Sequence, residues 1–127
     1  MKGLMEKSRK VHNLPFFVDG TLLSLNEQLD LIKLGNITLF KRYVHEWALD
    51  VRGEVELVKN GKADAVKIYV RYYPLCDEAE MELVKRGNSK LIKFYANIHC
   101  FAYRAKKALM ETGNAELIKF YQEKHPD

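Results

Sequence analysis

Four lysines, Lys41, Lys67, Lys93 and Lys119, recur at intervals of 26 residues. Ammonium groups at a fixed spacing can hold a row of phosphates or carboxylates, so this column is a candidate anion-binding strip, for nucleic acid among other polyanions. A second group is aromatic: Trp47, Tyr72, Tyr73, His99, Phe101 and Tyr103 fall at corresponding ends of successive units. Exposed together, they would form a ridge suited to another protein, because Trp and Tyr concentrate binding energy at interfaces. A third group, Cys76, His99 and Cys100, contains ligand types for a metal and a thiol–imidazole pair. The chain has no C-x-x-C or H-x-x-x-H spacing to support a metal. It also has no G-x-x-x-x-G-K-[ST], G-x-G-x-x-G or H-E-x-x-H motif. No catalytic residue, metal ligand or cofactor is therefore assigned, and the chain is expected not to be an enzyme.

The elements that position these residues follow from four glycines with the same period: Gly35, Gly61, Gly87 and Gly113. Self-similarity at a period of about 20 to 50 residues marks a stacked array. Leu31, Leu57, Leu83 and Leu109 precede the glycines by four residues; Tyr43, Tyr69, Tyr95 and Tyr121 follow them by eight. Leu91, Ile92 and Tyr95 share one helical face, and Val55 and Val58 supply another with Leu57 beside them. The columns predict four units, 26–51, 52–77, 78–103 and 104–127, each a pair of amphipathic helices. Helices are expected near 25–34, 36–48, 53–60, 63–72, 78–86, 89–99, 103–112 and 114–124. Each glycine suits the left-handed residue that ends a helix. Asn36, Asn88 and Asn114 come next and can cap the following one. Ser24 with Glu27 and Asp77 with Glu80 read as capping boxes. The tyrosine rings are expected between units, their hydroxyls at the edge of the core.

Residues 1–24 fall outside the repeat and are expected to form an N-terminal cap, with Phe16 and Phe17 over the first unit. Asp19-Gly20 between two apolar runs is a hairpin signal. Unit four departs from the columns, with Lys107 at an apolar position and Glu111 at a lysine position. Charge is divided unevenly: the second helices are net positive, whereas the first helices sum to about zero. In the first helices, Asp30, Glu56 and Glu82 each precede a lysine by three residues, a spacing that allows an ion pair.

With 127 residues, 47% of them hydrophobic, the chain can bury one core. Its formal charge of +4 permits an anionic partner without requiring one. No apolar run reaches the roughly 20 residues of a membrane span. The start, MKGLMEKSRKVHN, lacks the apolar stretch of a signal peptide, so a cytoplasmic location is expected, with Cys76 and Cys100 reduced.

The motif ELVKRGNSKLIKFY, preceded by YYPLCDEAE, resembles the short helix-pair repeats of about 26 residues found in functionally uncharacterised bacterial proteins. The resemblance spans roughly residues 26–124 and implies an architecture similar to HEAT and tetratricopeptide arrays. It implies no activity. The expected fold is an all-α, right-handed α-α solenoid of four antiparallel helix pairs in one domain. The expected function is a non-catalytic protein-interaction or scaffold module. Nucleic-acid binding through the basic row and self-association are the alternatives; no membrane partner is expected.

Overall fold

The computed structural model describes residues 22–126. Among them the chain forms eight α-helices and no strand. These are α1 Leu25–Leu34, α2 Ile37–Glu46, α3 Val51–Asn60, α4 Ala63–Tyr72, α5 Asp77–Arg86, α6 Ser89–Ile98, α7 Tyr103–Glu111 and α8 Ala115–Lys124. Every boundary lies within two residues of the expectation from the repeat. The hairpin at Asp19-Gly20 and the cover formed by Phe16 and Phe17 lie outside the described residues.

Helices of nine or ten residues are marginal on their own, so packing must hold them. Each helix packs chiefly against the helix two places along the chain. Thus α1, α3, α5 and α7 touch in succession, as do α2, α4, α6 and α8. The two helices of each unit also touch. Between the two rows lie Leu31, Leu57, Leu83 and Leu109, together with the four repeated tyrosines, all buried. Burying one such leucine is worth about 1.5–3 kcal/mol, which is how a short helix gains its stability from neighbours. On α3 the buried apolar pair is Leu57 and Val58; Val55, expected on that face, is only half-buried.

The turn within a unit is built in two ways. In units one, three and four, Gly35, Gly87 and Gly113 adopt φ of 71°, 72° and 72°. The following Asn36, Asn88 and Asn114 then accept the N–H of Leu39, Leu91 and Leu117 at 3.1, 3.2 and 3.1 Å. Unit two differs. Gly61 is extended at φ −78°, and Lys62 caps α4 without a side-chain hydrogen bond. Glycine is needed at 61 for space, because a Cβ there would meet the Leu57 carbonyl oxygen at 2.5 Å.

The capping box at Ser24 and Glu27 is present on α1. The one expected at Asp77 and Glu80 is not. The cap of α5 is Cys76, with no side-chain bond, and Glu80 turns inward. Of the three carboxylates expected to pair three residues ahead, Glu56 and Glu82 reach one residue further. Glu56 accepts from Asn60, and Glu82 faces Arg86 at 3.9 Å.

Candidate interaction surfaces

The repeated tyrosines are turned inward and hydrogen-bonded. Their hydroxyls accept the backbone N–H of Leu23, Leu49, Leu75 and Phe101, at 3.1, 3.1, 3.1 and 2.9 Å. Each of these residues sits two positions ahead of a first helix, α1, α3, α5 or α7. The Tyr69 hydroxyl donates to Glu54 Oε2, and that of Tyr95 to Glu80 Oε2. Burial first, then the adjacent carboxylate, pushes both phenols well above their usual range, so they remain protonated donors.

The same carboxylates join one unit to the next. Glu54 Oε1 accepts the N–H of Cys76 at 2.7 Å, and Glu80 Oε1 that of Ala102 at 2.8 Å. In unit one Gln28 does this work, accepting the N–H of Asp50 at 2.9 Å and donating to Leu23 O at 3.1 Å. Gln28, Glu54 and Glu80 form a buried column with the 26-residue period, and sequence reasoning missed it. Its fourth position is Lys106, beside an opening of about 440 Å³ at the end of the last pair. Burial raises the Glu80 carboxyl above the usual carboxylate range, against the opposing pull of the Tyr95 and Ala102 donors.

The aromatic ridge is largely not a surface. Tyr73 donates its hydroxyl to Val44 O at 2.7 Å. His99 Nε2 lies 2.7 Å from Val70 O, and His125 Nε2 lies 2.6 Å from Ala96 O. A carbonyl only accepts, so Nε2 carries the proton in both rings. Each ring thus reaches back 29 residues to tie its unit to the preceding second helix. Trp47 shares the column, and its buried Nε1 has no partner among the described residues. The position 29 residues before it, Val18, lies outside them. Phe101 is only 5% exposed, stacked on Tyr121 with ring centroids 5.4 Å apart. Of the six candidate ridge residues only Tyr72 and Tyr103 are well exposed, at 40% and 76%. The others are held inward because their ring donors complete inter-unit hydrogen bonds or their faces fill the core.

The second-helix row presents the lysine column. Lys41 and Lys119 are exposed, whereas Lys67 and Lys93 are half-buried. Lys67 and Arg71 lie over the Phe94 ring at 5.6 and 5.5 Å from its centroid. Lys93 and Lys124 lie over Phe120 at 5.5 and 5.7 Å. Lys93 also pairs with Glu116 at 2.7 Å and holds that carboxyl below the usual range. Beside them, between α2 and α4, is a shallow groove of about 260 Å³ lined by Ile37, Asp64, Lys67, Ile68 and Arg71.

A larger groove lies on the other row. It spans α3, α5 and α7, measures about 560 Å³, and takes its apolar lining from Val55, Met81, Val84 and Ala108. Glu78, Glu82, Lys85, Arg104 and Thr112 supply the polar lining. Ala108 stands in the column of Asp30, Glu56 and Glu82. The groove opens where unit four puts a methyl group in place of a carboxylate side chain.

The thiol–imidazole grouping is taken up in packing. Cys76 Sγ approaches Val51 O at 3.9 Å, and burial pushes its thiol up to about 11. His99 is engaged with Val70, and Cys100 is exposed. Among the described residues, no three His, Cys, Asp or Glu side chains gather to hold a metal, and no helix is long and apolar enough to cross a membrane. Compared with known proteins, the chain matches no family model, no curated protein and no solved structure.

Proposed function

We propose that the four helix pairs stack antiparallel as an α-α solenoid of the short-repeat kind, and that the chain is a non-catalytic protein-interaction or scaffold module. The row-by-row packing and the recurring hydrogen bonds from unit to unit support the stacking. The observation that carries the functional reading is the groove across α3, α5 and α7. It has an apolar lining and includes Ala108, where unit four departs from the repeat. Inward-facing polar groups such as Glu80 and Tyr95 are satisfied by internal partners. Such groups hold the scaffold, and the surface that varies from unit to unit is left for recognition. Both cysteines are free thiols, in keeping with a reducing, cytoplasmic setting.

Ala108→Glu tests this reading. Three units already carry Asp or Glu at the equivalent position, so the variant keeps the fold while filling the groove. Wild type and variant are each used as bait in a native lysate, with mass spectrometry of what is retained. A partner retained by wild type and lost with Ala108→Glu supports the reading. Retention of the same proteins by both excludes the groove as the interaction surface.

A further inference from the structure

We propose that the second-helix row is a second interaction surface, independent of the groove on the first-helix row, and that it takes an acidic peptide segment carrying an apolar side chain. Cations of this row are restrained by aromatic rings. A surface lysine ordinarily loses side-chain entropy when it binds. Lys67 and Arg71 are already drawn onto the Phe94 ring, and Lys93 and Lys124 onto Phe120. Attraction to the ring face restrains them before any partner arrives. Two cation pairs are thereby presented on adjacent elements, α4 with α6 and α6 with α8.

The groove beside the first pair supplies the apolar contact. Ile37 and Ile68 are half-buried in it, and Lys67 and Arg71 border the same space. At about 260 Å³ it has room for one aliphatic or aromatic side chain. A segment that places a leucine against Ile37 and Ile68 brings neighbouring carboxylates to Lys67 and Arg71, where Arg can bind a carboxylate through two N–H groups.

The same features favour a peptide over nucleic acid. Base stacking needs open ring faces, and both Phe94 and Phe120 are covered by cations. Asp64 lines the groove, where it repels phosphate but can accept a peptide N–H. Glu116 likewise offsets part of the charge of Lys93.

The probe is a fluorescent peptide of repeated Leu-Glu-Glu triplets, titrated by anisotropy at physiological salt. Its comparators are a Ser-Glu-Glu peptide and an oligothymidylate of equal length. The leucine peptide is expected to bind at least about tenfold more tightly than either comparator. Lys67→Gln/Arg71→Gln, which retains side-chain bulk, should weaken it by about tenfold. Lys33→Gln/Lys59→Gln makes the same charge change on the first-helix row and should alter it less than about twofold. Circular dichroism confirms equal helix content in all variants. Equal binding of the serine peptide, tighter binding of the oligothymidylate, an equal loss in both lysine variants, or no binding of the leucine peptide would each overturn the proposal. None of these results bears on the groove lined by Ala108, which Ala108→Glu tests separately.

Discussion

The Glu80 carboxyl accepts the Tyr95 hydroxyl on one oxygen and the Ala102 N–H on the other, so one side chain joins both helices of its unit to the start of the next. Glu54 and Tyr69 repeat the arrangement one unit earlier. Leucine at position 80 would leave the Tyr95 hydroxyl proton and the Ala102 N–H buried without acceptors. Glu80→Leu should therefore lose about 2–4 kcal/mol. Glu80→Gln should lose less than about 1 kcal/mol, because Gln28 already fills this role in unit one. Urea unfolding of the two variants measures the difference.

The pH dependence of that pair of proteins has a definite sign. The folded Glu80 pKa is raised above its unfolded value. Its contribution to stability is thus complete below the unfolded pKa and is lost as pH rises through the folded one. Glutamine does not titrate. Glu80→Gln should gain stability relative to wild type as pH rises from the usual carboxylate range through the raised folded pKa. A stability difference that is flat or moves the other way across that window would contradict the assignment.

Of the candidate ridge residues, those turned inward should behave as core and the exposed ones should not. Tyr73→Phe removes the bond to Val44 O and should cost about 1 kcal/mol. Tyr103→Ala, at a position 76% exposed, should change stability by less than about 0.5 kcal/mol. Thermal or urea denaturation distinguishes the two.

The turn of unit two is the least well capped of the four. Lys62→Asn supplies the side-chain acceptor that Asn36, Asn88 and Asn114 provide elsewhere, and should stabilise by about 0.5–1 kcal/mol. Gly61→Ala should destabilise more than Gly87→Ala, although only Gly87 has positive φ. Alanine at 87 meets nothing within 4 Å and carries only left-handed strain of about 1 kcal/mol, whereas alanine at 61 collides with a backbone carbonyl. Unfolding midpoints of the three variants provide the check.

The thiols should differ in reactivity. Cys76 is partly buried with its pKa pushed up to about 11, while Cys100 is exposed. Iodoacetamide at neutral pH should label Cys100 first, as peptide mapping over time would reveal.

The helices, their turns and the leucine and tyrosine columns were legible because apolar periodicity and Gly-Asn pairs act locally. Two columns were only partly legible because their partners lie in other units. Glu80 stands three residues after Asp77, so it looked like half of a capping box. Its recurrence with Gln28 and Glu54 was the available signal that it has an inward role. Trp47, Tyr73 and His99 read as candidates for a hydrophobic ridge, and His125 falls in the same column. What they share is a ring atom able to donate a hydrogen bond, and for Tyr73, His99 and His125 that atom faces a carbonyl of the preceding unit. The groove was only partly legible. Lys107 and Glu111 marked unit four as irregular, but the decisive residue is Ala108, whose small side chain draws no notice until the facing Met81 and Val55 are in place.

The central claim is that recognition occurs in the groove across α3, α5 and α7. Its most direct test is the change in backbone amide NMR shifts when a partner captured by the wild-type chain is added. Shifts are expected to concentrate at Val55, Met81, Glu82 and Ala108, and to be absent in Ala108→Glu. Shifts confined to the second-helix row or the end of the last pair, with those four amides unmoved, would contradict it.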